Sequence, residues 1–280
     1  MNELFENVLL KLGFSQRPAP TLEGLCALYS AWCRQVPFDN VRKLIHVRAG
    51  ESGPLPGSTP RDFFEAWLRH GTGGTCWSGA GAFHALAISL GFAAERAIAT
   101  MLVYPDLPPN HGSVRVTLEG KHYLVDCSML HGEPLLLDQH AETHVAHPAW
   151  GATCTPREGR FHVMWRPLNY LQGLVCRFES FGATAAEYEQ RYEATRGWSP
   201  FNYQVVARSN RGDEVTGVAF GRAVTLHADG ATTDEPIDHQ EAQRRLIELL
   251  GMSEEIVGRL PVDVPTPPPP GSRTAMERES

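Results

Sequence analysis

The chain has 280 residues, 42% of them hydrophobic and 9% aromatic, enough to bury a sizeable core, which excludes fibrous and low-complexity architectures. Thirty-two acidic residues against 25 basic ones give a formal charge of −7, and no long basic run supplies a footprint for phosphate backbones, so nucleic acid is not an expected partner.

The first fourteen residues carry Glu3 and Glu6 among apolar positions, which suits an amphipathic helix rather than a secretory signal. Between residues 21 and 33, Leu22, Leu25, Cys26, Leu28, Tyr29 and Trp32 recur at helical spacing until Pro37 stops the pattern. A second helix is expected over 61–69, where Phe63, Phe64, Trp67 and Leu68 form a stripe. The stretch Gly71-Thr72-Gly73-Gly74-Thr75 breaks it, and Cys76 opens a third helix that ends at Gly91. The first 90 residues therefore read as helical. Residues 79–94 are too short for a membrane span and are interrupted by His84, so no membrane partner is expected.

Beyond Gly91 short runs of strand character follow, at 97–104, 113–118, 122–126 and 160–165. A helix is expected at 183–195, strands at 203–209, 214–219 and 222–227, and a last helix over 236–250. Helices first, then a sheet or barrel, then a mixed end is an α+β layout. From Pro261 the chain becomes proline-rich and polar, the composition of a disordered tail over 261–280. The six cysteines (26, 33, 76, 127, 154 and 176) include no CxxC pair, so neither a disulfide framework nor a structural zinc site is indicated, and a reducing cytoplasm fits.

Cys76 is the first candidate for chemistry. A glycine-rich turn running into a helix places its side chain among free backbone N–H groups at the positive end of the helix dipole, which favours a thiolate and leaves donors for an oxyanion. His111 begins a strand in which Val114, Val116 and Leu118 alternate with polar residues, and Glu119-Gly120 resembles a tight turn into the returning strand. A two-residue loop places Leu118 opposite Lys121 and Ser113 opposite Asp126, making His111 and Asp126 diagonal neighbours roughly 7 Å apart. A three-residue loop would send them to opposite faces. Cys76, His111 and Asp126 would then be nucleophile, base and orienter, the set needed to hold an acyl group as a thioester.

These residues sit in a chain that resembles the arylamine N-acetyltransferase family, from about Leu12 to Leu250. The segment Pro20-Thr21-Leu22-Glu23 and the turn Val36-Pro37-Phe38-Asp39-Asn40 resemble the family's first-helix segment and its Pro-Phe-Glu-Asn turn. Gly73-Gly74-Thr75-Cys76 matches its Arg-Gly-Gly-x-Cys-x-Glu motif, Val125-Asp126 its Val-Asp-Val-Gly-Phe-Gly segment, and Ser199-Pro200-Phe201 the opening of its third domain.

The resemblance implies a helical domain over 1–91 carrying the nucleophile, a β-barrel domain over 92–198 carrying His111 and Asp126, and an α/β lid over 199–260, around a transglutaminase-like or papain-like Cys-His-Asp core. It implies a thioester donor, acetyl coenzyme A or a longer acyl group on coenzyme A or a carrier protein, as co-substrate rather than a tightly bound cofactor. The acceptor is a small amine, or an internal amine in the related amide synthases that close lactams. Water as acceptor would make a thioesterase or amidase, and loss of turnover a binding module.

Three features depart from the family pattern. Thr72 stands in place of its arginine and Ser78 in place of its glutamate; losing both avoids a lone buried charge and reads as a re-tuned site. Cys127-Ser128-Met129-Leu130 replaces Val-Gly-Phe-Gly, so a different acceptor pocket is expected. Trp77 walls the acyl site or serves as a core aromatic. His140, His144 and His147 would share a face if helical, but Pro148 follows and no acidic or cysteine ligand is evident, so no metal site is assigned.

Overall fold

The computed structural model describes residues 3–104 and 107–268. Five helices occupy the first ninety residues, α1 (Glu3–Lys11), α2 (Leu22–Gln35), α3 (Val41–Arg48), α4 (Pro60–His70) and α5 (Cys76–Ser89), with a two-residue strand, β1 (Phe38–Asp39), between α2 and α3. Their boundaries follow local chemistry. The Thr21 hydroxyl accepts from the Gly24 N–H at 3.1 Å to cap α2. Thr59 caps α4, Pro60 sits in its first turn, and Gly71 ends it in the left-handed region at φ 70°. The inner stripe of α4 meets α2 and α5 in an aromatic cluster: Trp32 stacks on Phe63 with centroids 5.7 Å apart and meets Phe83 edge-on at 5.2 Å. Each such fully buried phenylalanine contributes about 1.5–3 kcal/mol. Helix α5 has no polar face and runs through this core.

Eight antiparallel strands come next: β2 (Ala93–Met101), β3 (His111–Leu118), β4 (Lys121–Val125), β5 (Leu135–Leu136), β6 (Thr143–Val145), β7 (Ala152–Arg157), β8 (Arg160–Trp165) and β9 (Leu174–Phe181). They pair in the order β5-β4-β3-β2-β9-β8-β7-β6. The Thr143 hydroxyl at one end donates to the Leu136 carbonyl at the other, so the sheet is a nearly closed barrel. Helix α6 (Ala185–Ala194) leads to a second sheet, β10 (Val206–Arg211), β11 (Glu214–Ala219), β12 (Arg222–Leu226) and β13 (Thr232–Pro236), backed by α7 (His239–Glu248) and the short α8 (Glu254–Val257). This mixed α/β arrangement agrees with the expected α+β class.

The second sheet does not stand apart. Strand β1 adds to its edge, Phe38 opposite Arg208 and Asp39 opposite Ala207. The Asn40 side chain donates to the carbonyls of Phe201 at 2.9 Å and Gln204 at 2.8 Å and accepts from the Val206 N–H at 2.8 Å.

Several expectations need correction. The first 90 residues are not wholly helical, because Phe38–Asp39 is a strand; α2 ends at Gln35, ahead of Pro37 as expected, and a further helix, α3, follows at Val41–Arg48. The last helix does not begin at 236: Pro236 ends β13, and Asp238 caps α7 by accepting from the Glu241 N–H at 2.8 Å. His144 lies in strand β6, so the three histidines do not line a helix. Residues 261–268 are not a disordered tail; Asp263 accepts from the Val205 N–H at 3.0 Å, the Val264 N–H donates to the Tyr203 carbonyl, and the Thr266 hydroxyl bonds Gln204 Oε1. The remainder of that expected tail, 269–280, falls outside the described residues.

Candidate active site

Cys76 is the first residue of α5, behind Thr75, whose extended backbone caps the helix without a side-chain hydrogen bond. The loop before it is laid against the 37–39 segment. Asp39 N–H donates to the Gly74 carbonyl at 3.1 Å, and one Asp39 carboxylate oxygen accepts from Gly73 N–H at 2.6 Å while the other accepts from Val41 N–H at 3.0 Å. A Cβ on Gly73 would stand 1.8 Å from the Pro37 carbonyl oxygen, and one on Gly74 2.2 Å from Ser78 Oγ. The paired glycines are therefore required by close approach. Burial raises Asp39 to about 6, partly offset by those two backbone donors and by Arg42.

The β3–β4 hairpin settles the register. Glu119 and Gly120 take positive φ values of 50° and 76°, and Leu118 faces Lys121 across a two-residue loop. The ladder brings His111 and Asp126 together: His111 Nε2 lies 2.7 Å from Asp126 Oδ2, with both side chains almost completely buried. The other Asp126 oxygen accepts from the N–H groups of Ser128 and Met129, each at 2.9 Å. Tyr29 Oη donates to the Asp126 carbonyl at 2.7 Å and accepts from its N–H at 3.1 Å, clamping the backbone.

Burial disfavours the charged imidazole, but the Asp126 charge and hydrogen bond outweigh it, and a hydrogen bond and charge from Cys76 act in the same direction, so His111 is raised to about 10. Burial would likewise raise Asp126, yet His111 and the backbone donors hold its carboxyl well below the usual range. The Cys76 sulfur also lies 3.9 Å from the Asn110 carbonyl oxygen.

Cys76 and His111 open into a cavity of about 350 Å³. Trp77 also lines it and meets Tyr188 of α6 edge-on at 4.8 Å within the core cluster. Phe201, Phe220 and Arg208 enter from the second-sheet region, and Thr266 and Pro267 from the proline-rich segment. Lys43 of α3 reaches it too, 3% exposed, donating to Thr195 Oγ1 at 2.8 Å. Tyr29, Lys43 and Arg208 escaped the sequence reading. Tyr29 is indistinguishable there from its core stripe, and no local pattern separates Lys43 or Arg208 from solvated cations. Among the described residues no group of three or more His, Cys, Asp or Glu side chains is placed to hold a metal ion.

Residues 21–152 match the model of the N-acetyltransferase family. That segment carries Cys76, His111 and Asp126. Among solved structures, the arylamine N-acetyltransferase of Mycobacterium marinum in complex with CoA aligns over 91% of this chain and 96% of its own, with 19% identity and a TM-score of 0.77. The enzyme from Nocardia farcinica aligns over 91% and 92% at 20% identity and a TM-score of 0.74, and that from Salmonella typhimurium over 90% and 92% at 17% and 0.74. The chain has the arylamine N-acetyltransferase fold. No curated protein matches the sequence.

Within that N-acetyltransferase fold, the two departures beside Cys76 are both accommodated by neutral packing. Thr72 is fully buried, and Ser78 folds back to donate to the Thr75 carbonyl at 3.0 Å. The loop is therefore braced by the Asp39 carboxylate on backbone N–H groups, without a neighbouring arginine at position 72. After Asp126, Ser128 reaches the cavity lining while Cys127 and Met129 turn into core clusters.

Proposed function

We propose that the protein is an N-acyltransferase that carries an acyl group from a thioester donor to a small amine through a thioester on Cys76. The observation that carries this reading is the buried His111–Asp126 pair, 2.7 Å apart, whose histidine lines with Cys76 the wall of one cavity. Together they form a transglutaminase-like or papain-like core, in which residues 1–91 bring the nucleophile, 92–198 the base and its carboxylate, and 199–260 the lid.

Asp126 fixes Nε2 of the imidazole, which leaves Nδ1 for the sulfur. The raised pKa of His111 makes it a base strong enough to take the thiol proton. The sulfur attacks the donor carbonyl, and the N–H groups in the first turn of α5, which have no intrahelical acceptor, offer hydrogen bonds to the oxyanion. Collapse forms the Cys76 thioester and releases the donor thiol, which takes back the proton. An amine then attacks the same carbonyl and gives its proton to His111 as the amide forms and the Cys76 sulfur leaves. The aromatic lining from Trp77, Phe201 and Phe220 excludes water, the competing acceptor, and suits a flat amine.

Acetyl coenzyme A is the first donor to test, since a CoA complex is known for the Mycobacterium marinum relative. All six cysteines are free, which fits a reducing cytoplasm, and no helix among the described residues is long and apolar enough to cross a membrane. Incubation with acetyl coenzyme A should add one acetyl mass at Cys76, lost when an arylamine is supplied. Absence of any adduct with a panel of acyl thioesters would sink the reading.

A further inference from the structure

The cavity beside Cys76 is lined by two buried cations and, among the described residues, by no carboxylate. Lys43 and Arg208 are each 3% exposed, and both line it. Among the described residues no aspartate or glutamate lines this cavity, and neither cation makes an ion pair. Lys43 Nζ has three protons and one hydrogen-bond partner, Thr195 Oγ1. The carboxylate whose charge reaches it, Glu193, is already engaged by Arg196 and the Leu55 N–H.

Arg208 places one Nη 2.9 Å from the Arg166 carbonyl and lies over the Trp165 ring at 5.0 Å, while its Nε is buried without a partner. Burial of an ammonium without an anion is costly, and Lys43 is accordingly lowered to about 7 by desolvation. Ser128 and Trp165 also line the cavity, and the Ser128 hydroxyl and the Trp165 indole N–H are buried without partners as well.

Resting on the acyl-transfer reading of Cys76, we infer that Lys43, backed by Arg208, receives a carboxylate carried by the substrate. A carboxylate satisfies what the cavity lacks: a negative charge and acceptor oxygens for donors that have none. Charge-assisted hydrogen bonds of this kind discriminate strongly against a neutral isostere. The carboxylate can travel on the amine or on the acyl group, as in a dicarboxylic monothioester, and the two sources separate experimentally.

The test uses the full chain in two arms at pH 6.5. Calorimetric titration compares 4-aminobenzoate with 4-aminobenzamide, and intact-mass kinetics at Cys76 compare succinyl with butyryl coenzyme A. In at least one arm the anionic probe should win by about tenfold or more. That ratio should fall to near one in Lys43→Met and persist in Lys43→Arg. The arm that responds identifies which substrate bears the carboxylate. Should melting show that Lys43→Met is unfolded, Lys43→Gln, which keeps a donor for Thr195, is read instead.

Equal or better handling of the neutral probe in both arms overturns the proposal, as does a preference that survives loss of the ammonium. If no thioester acylates Cys76 but 4-aminobenzoate is still preferred, the acyl-transfer reading falls and the anion site stands.

Discussion

The Asp39 carboxylate accepts the Gly73 N–H at 2.6 Å across 34 residues of sequence, and through that bond the turn after α2 fixes the loop that delivers Cys76. Asp39→Asn puts an amide N–H against one of the two backbone donors and should cost about 1–3 kcal/mol while slowing acylation of Cys76. Because Asp39 is raised to about 6 by burial, the folded chain binds its proton more tightly than the unfolded chain does. Its contribution to stability therefore declines as pH rises from about 4 to about 6 and then levels. Urea melts of both proteins across that interval should show this decline in the wild type and not in Asp39→Asn.

The His111–Asp126 pair gives a different profile. With His111 raised, its contribution is complete below about 6.5 and is lost as pH climbs through about 10. With Asp126 depressed, its contribution is present above about 4 and lost on acidification. A plateau between these limits is expected from the pair. Asp126→Asn should lower stability by about 3–5 kcal/mol and slow Cys76 acylation by about 10³-fold or more, measured by denaturant titration and stopped-flow acyl transfer.

Thiol chemistry should be selective. Burial pushes up Cys26, Cys127 and Cys176 and takes Cys33 and Cys154 to about 12. Iodoacetamide near neutral pH should modify one residue, Cys76, and peptide mapping should find no equivalent label in Cys76→Ser. Rapid multiple labelling would contradict the packing described.

Gly73→Ala tests the close approach directly. Its methyl would sit 1.8 Å from a backbone oxygen that has no rotamer to escape into. A loss of about 3 kcal/mol or more, or failure to fold, is expected by thermal melting.

Ending the chain at Pro261 removes the hydrogen bonds at Asp263, Val264 and Thr266 and one wall of the cavity. The shortened protein should lose more acyl-enzyme to water, seen as a raised ratio of hydrolysis to amine transfer under matched donor and amine.

Much of the site was legible because its signals are local. Glu119-Gly120 marks a turn, and of the two loop lengths open to it the two-residue one found in the structure puts His111 beside Asp126. The glycines before Cys76 likewise announce backbone contact. Other elements carry no such signal. Strands β5 and β6 are too short to establish a period, Pro156 disguises β7, and Arg177 and Glu179 interrupt β9 until one sees them paired with each other. Lys43 is two residues beyond Val41 in a helix that also buries Leu44, Ile45 and His46; its burial becomes apparent only when Thr195, 152 residues away, is packed against it. The proline-rich composition of 261–268 suggests disorder, but its extended backbone lies ready-made along the carbonyls and amides of 203–205.

Asn40 spends every hydrogen of its amide, and its oxygen, on residues 201–206, so the helical layer and the second sheet share one hydrogen-bonded seam. Such a seam leaves no hinge about which the two layers could swing independently. Calorimetry should accordingly register a single cooperative endotherm with matching van't Hoff and measured enthalpies, and access to the nucleophile must come from side-chain rearrangement at the mouth rather than from layers parting.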